Sequence, residues 1–195
     1  MYDGLTMVRE AAIRHGIHLS ILVAETSIWA NPEVHRRLLH ENGVGAYFAN
    51  VRRYRAGAGE RKGQILGPER LDDNSYANHA IKQAAGIGRA SIRDFEACHI
   101  WPQSCYDSRC HTVIANLVLL PRPLAGLSDH DPEVQQALQF RAFEVFGWHP
   151  PDHRAPSRPG FYPSTWPEPM PFTDTVARAL ANRRFSIPNI GSVEA

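Results

Sequence analysis

The chain of 195 residues has no apolar run near the roughly 18 residues needed to span a bilayer. Its densest apolar stretch, Leu19 to Ala24, is long enough for a core strand and no more. The start carries Asp3 and no long apolar segment behind a basic one, so it does not read as a secretory leader. A cytoplasmic setting without a membrane partner is therefore expected. Cysteine is scarce: Cys98, Cys105 and Cys110 are an odd number within one short segment. That argues against a disulfide framework and leaves metal binding, catalysis or burial. Net charge is nearly absent as well, at +1, so the total neither shows nor excludes a polyanionic partner. Internal repeats at solenoid or propeller periods are lacking.

What is present describes an ordinary globular chain, 43% hydrophobic and 21% charged, with enough length to bury a core unaided. A short helix is expected over 7–16 and a strand over 18–24. Asn31-Pro32-Glu33 reads as a helix start, with Asn31 as N-cap, Val34, Leu38 and Leu39 as the apolar stripe, and Asn42-Gly43 as the stop. Val44 to Tyr54 looks extended. A Gly- and Arg-rich loop follows from Arg55 to Gly67. Asp72 or Asp73 caps a helix reaching about Ala85, with Tyr76, Ala77, Ala80, Ile81 and Ala84 on the buried face. Its other face presents Asn74, Asn78 and Lys82, either a solvated surface or a stripe that enters a nucleic-acid groove.

The central segment reads as strand (93–100), loop (101–111) and strand (112–120). Asp131-Pro132-Glu133 repeats the capped-helix signal and opens a helix to about Phe146, with Asp131 as the cap. From His149 onward, prolines at 150, 151, 156, 159, 163, 167, 169 and 171 rule out regular structure over two dozen residues. One short helix is expected at 173–183. The chain thus divides into an N-terminal helical and mixed region (1–92), a central unit (93–148) and a Pro-rich extension (149–195) that wraps the surface or a partner.

The central unit carries the chemistry. His99 sits near a strand end, just before the loop that Pro102 punctuates; Cys110, His111 and Asn116 follow beyond it. Two strands joined by such a loop bring His99, His111 and Asn116 near one another. A neutral imidazole can take a proton from water, and a divalent cation beside it can neutralise a phosphodiester.

His99-Ile100-x-Pro102, followed by Asn116-Leu117-x-x-Leu120, resembles the HNH group of ββα-metal nucleases. The resemblance covers about 95–131. It implies an α+β protein with a central β-hairpin and helix forming the site, and a metal-dependent endonuclease of restriction or defence type. It assigns His99 as general base and Asn116 as the brace of the interstrand loop. Two positions depart from the pattern. The metal ligand before the base is Cys98, a soft donor that prefers zinc to magnesium; the expected cofactor is a divalent cation, magnesium or manganese first and zinc as the alternative. The ligand on the following helix falls at Ala125, which coordinates nothing, so Asp129, His130 or His111 is expected to replace it.

The expected partner is DNA. Arg52, Arg53, Arg55, Arg61 and Lys62 crowd within eleven residues among Tyr47, Phe48 and Tyr54, and guanidinium forks suit phosphate oxygens. Arg93, Arg109 and Arg122 are further candidates for charge stabilisation in the reaction. Cutting both strands of a palindrome favours a homodimer, and a defence-complex partner is the other expectation. The rival reading is a non-catalytic nucleic-acid- or protein-binding module, in which Cys98, Cys105, Cys110 and His111 hold a structural zinc.

Overall fold

The computed structural model describes residues 3–53, 61–66, 69–88 and 91–183. The architecture is α+β, two small sheets among helices. At its centre lies an antiparallel hairpin of β4 (Phe95–His99) and β5 (Leu117–Pro121), in a register that pairs Phe95 with Pro121 and His99 with Leu117. Beside it is a three-stranded sheet of β1 (Asn50–Arg52), β2 (Ile65–Leu66) and β3 (Glu69–Asp72). Its order is β1-β3-β2, with β1 parallel and β2 antiparallel to β3.

The hairpin is buried on both faces, which explains why β5 reads as an unbroken apolar run instead of an alternating one. Leu117, Leu119 and Ala97 face one hydrophobic cluster. That cluster includes Val34 and Leu38 of helix α3 (Pro32–Asn42), Ala77 and Ile81 of α4 (Ser75–Ala84), and Val176 and Leu180 of α8 (Asp174–Asn182). Val118, Leu120 and Cys98 face a second cluster. There they meet Trp29, Val23 of α2 (Leu19–Thr26), and Val134 and Leu138 of α7 (Pro132–Phe146). Period-two alternation along each strand assigns these faces. Both clusters draw on residues far apart in the chain, so the three sequence segments do not fold around separate cores.

The start signals at Asn31 and Asp131 form as expected. Asn31 accepts from the Glu33 N–H, and Asp131 accepts from the N–H groups of Glu133 and Val134. Arg9 of α1 (Gly4–Arg14) clamps the second Asp131 oxygen at 2.7 and 3.1 Å. The Pro-rich extension lies across the body. Met170 exchanges hydrogen bonds with Trp29 and Asn31, and the Trp166 ring stands edge-on to Trp29 at 5.9 Å.

Three expectations are corrected. The stretch expected as a strand over 18–24 is helical from Leu19 onward: in α2 Ser20, Val23 and Ala24 are buried at helical spacing. A short apolar run does not distinguish the two states, and the edge of β5 here accepts a single bridge, from Ile28. The second strand of the hairpin begins at Leu117, not at 112. Residues 112–116 are held instead by the Ala46–Val113 bridge, by Thr112 bonds to Phe48, and by a 3-10 turn over Ile114–Asn116. Within Val44 to Tyr54 the strand is Asn50–Arg52 alone among the described residues; Tyr54 lies outside them. Tyr47 and Phe48 are buried in the core, so neither interleaves with the arginines as a stacking surface. Among the described residues no helix is long and apolar enough to cross a membrane.

The turn after α3 contains a position that requires glycine. Gly45 has φ +76°, and a Cβ there would fall 2.6 Å from His35 Nδ1 and closer still to Cε1. His35 cannot retreat, being 2% exposed and packed edge-on against Phe146 and Trp148. Gly45→Ala is expected to cost about 2 kcal/mol or more, read from urea unfolding.

Candidate active site

β4 ends at His99, and strand alternation decides where it points. Cys98 faces the second cluster, so His99 faces the opposite side, toward β3 and the loop between the strands. Its Nε2 lies 3.0 Å from the carbonyl oxygen of His111 and 3.1 Å from His111 Nδ1. The two imidazoles are stacked, with centroids 5.0 Å apart. On its far side His111 Nε2 lies 3.1 Å from Asp72 Oδ2, and both side chains have zero exposure.

The proton positions follow from these contacts. A carbonyl oxygen only accepts, so His99 Nε2 carries the hydrogen and donates to it. His111 Nδ1, beside the same hydrogen, then carries a lone pair, and His111 Nε2–H donates to Asp72. Every hydrogen bond points from His99 toward the carboxylate. The consequence is a neutral His99 whose free lone pair is on Nδ1. Burial and the neighbouring His111 push its pKa down to about 3, so the ring stays unprotonated through the physiological range. Burial would raise the Asp72 carboxyl, but hydrogen bonds from His111, Ser75 and the Tyr76 N–H outweigh it and hold the group well below the usual carboxylate range.

Asn116 is fully buried and braces the interstrand loop. Its Oδ1 accepts from the Trp101 N–H at 3.1 Å, and its Nδ2 donates to Ser104 Oγ at 2.8 Å and to the Cys110 carbonyl at 3.0 Å. This ties both ends of the loop to the foot of β5. Asn116→Ala removes three buried hydrogen bonds, leaving the Trp101 N–H without an acceptor while Ser104 and the Cys110 carbonyl keep a second partner, and is expected to cost on the order of 3 kcal/mol, measured by chemical denaturation.

His99 lines a cleft of about 590 Å³ between the hairpin, β1 and the two short helices after β5, α5 (Arg122–Ala125) and α6 (Leu127–His130). Arg52, Arg122, Glu96, Asp129 and His130 share its wall. Arg52 stands opposite Asp72 in the β1–β3 register, so one strand pair supplies a cation to the cleft and an anion behind the histidines.

Of the expected metal ligands, Cys98, Asp129 and His130 line this cleft together, and His111 stands behind His99. Cys98 Sγ donates to the Ala125 carbonyl at 3.8 Å, so the two positions at which the resemblance places ligands do face each other. One is a thiol that burial pushes up to about 12, and the other has no donor side chain. His111 stands behind His99 with both ring nitrogens engaged by protein groups. Asp129 and His130 line the cleft, Asp129 with its carboxyl pKa raised by burial. Among the described residues no three His, Cys, Asp or Glu side chains gather closely enough to hold a metal ion. Cys105 and Cys110 are buried free thiols, each pushed up to about 11 by burial.

Comparison with protein-family models, curated proteins and solved structures finds no match to this chain.

Of the candidate phosphate contacts, Arg52 and Arg122 are on the cleft. Arg53 is half-buried at the exit of β1, Arg61 and Arg93 are exposed, and Arg55 lies outside the described residues. Lys62 pairs with Asp73 at 3.0 Å, and Arg109 is held by Asp107 at 2.6 Å and by Asp152 at 3.4 Å. Asn74 sits at φ +81° before α4, donates to the Ala97 carbonyl and lines the same cleft as His99. Asp72 is the residue that sequence reasoning missed. It was legible as a cap for α4, which it is, through bonds from the Ser75 and Tyr76 N–H groups. Nothing local announced that its other contact is a histidine 39 positions away.

Proposed function

We propose that this cleft hydrolyses phosphodiesters, with DNA as substrate and His99 as general base. The observation that carries the proposal is His99 itself: a neutral imidazole at a hairpin end, Nε2 spent on the His111 carbonyl, the lone pair held on Nδ1, and a cleft with two arginines before it. In the reaction His99 Nδ1 takes a proton from water as the water oxygen bonds to phosphorus and the ester oxygen departs. Arg52 and Arg122 take the charge of the phosphoryl oxygens. Asn116 keeps the loop, and with it the His111 carbonyl, in place. The hairpin followed at once by short helices, and the bracing geometry of Asn116, support the resemblance to ββα-metal nucleases.

A divalent cation belongs to that resemblance, but the Cys98–Ala125 pair does not fit one, since burial keeps the Cys98 thiol protonated and Ala125 has no donor side chain. Restriction or defence, and a two-fold dimer with one site per strand, rest on the resemblance alone. The structural-zinc alternative draws no support from the three buried thiols.

The test is incubation of the purified protein with supercoiled plasmid and with single-stranded DNA, in magnesium, manganese, zinc or chelator. Nicked or linear product in at least one condition is expected. Intact substrate throughout overturns the reading, and comparing the cation arms with chelator measures whether a metal ion is needed.

A further inference from the structure

We infer that Asp72 is a positioning residue for His99, acting through His111 to fix the tautomer of the base. This rests on the proposed role of His99, and it places part of the apparatus outside the hairpin, at the end of β3. The contacts form a single directed chain: His99 Nε2–H to His111, and His111 Nε2–H to Asp72, at 3.0–3.1 Å and 3.1 Å. His111 and Asp72 have zero exposure and His99 5%, so no bulk water competes for any link.

Asp72 is itself fixed. One oxygen accepts from the Ser75 N–H and hydroxyl, and the other accepts from the Tyr76 N–H in addition to His111. Four donors converge on one carboxylate, and only an acceptor at both oxygens satisfies them. A carboxylate so pinned offers His111 an acceptor alone, so His111 must be protonated on Nε2 and bare on Nδ1. The bare Nδ1 reinforces the His111 carbonyl in holding the hydrogen of His99 on Nε2. Were His111 to carry its hydrogen on Nδ1 instead, that hydrogen would point at His99 Nε2 and favour its lone pair there. The proton-accepting nitrogen would then face the protein interior rather than the substrate. Second partners of this kind orient an imidazole wherever its two nitrogens have different tasks.

The same oxygen atoms cap α4, so a structural role must be separated from a positioning one. In Asp72→Asn, either orientation of the amide sets its NH2 against a backbone N–H, of Ser75 or of Tyr76. If the NH2 faces His111, it also demands the reversed tautomer. Asp72→Ser keeps a hydroxyl that caps the helix but is too short to reach His111 as well. Asp73→Asn removes a neighbouring carboxylate that pairs with Lys62 at the surface and does not touch the histidines.

The experiment is nitrogen-15 NMR of imidazole-labelled protein, which separates protonated from bare ring nitrogens without any substrate, alongside the plasmid-cleavage rate. In the wild type, His99 and His111 are both expected to show Nε2–H alone. In Asp72→Asn and Asp72→Ser, His99 is expected to become a mixture of tautomers and cleavage to fall about a hundredfold or more. Asp73→Asn is expected to change neither. A wild-type His99 protonated on Nδ1 overturns the inference before any variant is made. So does a folded Asp72→Asn or Asp72→Ser that keeps both the single tautomer and a rate within threefold of wild type. If the tautomer responds as expected but the wild type cuts no DNA, the positioning role stands and the nuclease reading falls. If the wild type cuts DNA and the variants match it, the reverse holds.

Discussion

Replacing His99 by alanine is expected to lower phosphodiester cleavage about a thousandfold while leaving a folded protein. A positioned general base contributes roughly 10²- to 10⁴-fold. The low basicity of His99 shapes the result. With a pKa near 3, its protonation at pH 7 is uphill by about 5 kcal/mol, so the proton transfer is useful only as the phosphoryl oxygens gain charge beside Arg52 and Arg122. The same value predicts a pH profile without an acid limb from base protonation between pH 5 and 8, because every molecule already carries the neutral ring. Single-turnover cleavage of a labelled duplex across that range is the measurement. Wild-type rates retained by His99→Ala would remove His99 from the mechanism. A limb near pH 6.5 would show that the imidazole titrates as if solvated.

Acid is expected to unfold this protein at a pH that ordinary globular domains survive. His35 and His99 are buried neutral, with pKa values pushed by burial from 6.5 down to about 4 and about 3. A histidine with a depressed folded pKa binds its proton more weakly in the native state. Its contribution is therefore complete above pH 6.5 and is lost as pH falls toward the folded value. At pH 4 each of the two has given up on the order of 3 kcal/mol, a large share of the stability of a domain this size. Asp72 adds to the loss with the same sign below about pH 4, since its carboxyl is held below the usual range in the folded state only. Urea denaturation at pH 7, 5.5 and 4 should show the midpoint falling steeply below pH 6.5. His35→Phe, which removes one titrating group, should flatten that decline even if its packing is imperfect. A midpoint unchanged from pH 7 to pH 4 would contradict the burial of these rings as neutral groups.

Much of the fold follows from local patterning. The caps at Asn31 and Asp131 were legible because an N-cap needs only one side chain and the two or three residues after it. The helix over 75–84 and the irregular Pro-rich stretch were legible for similarly local reasons. The nature of 19–26 was not, because an apolar run carries no period until neighbours decide which residues are covered. Likewise the β5 boundary depended on Asn116, Thr112 and Ala46 meeting across the loop.

The division at His99 has the same origin. Its place at the end of a strand before a Pro-punctuated loop could be read from the sequence pattern, and the bracing position of Asn116 from the resemblance to ββα-metal nucleases. The direction of its free lone pair could not. That depends on Asp72 and His111, which are brought together only when β3 and the interstrand loop pack behind the hairpin. The contact of Cys98 with the Ala125 carbonyl is a further tertiary result, since it forms only when the short helices after β5 pack back on the hairpin. Sequence by itself determined which residue types were available and where strands and caps would begin, because those depend on neighbours along the chain. Tertiary structure alone decided which nitrogen of His99 is engaged by the protein and which keeps a free lone pair, because hydrogen-bond direction is set by groups that meet only after folding.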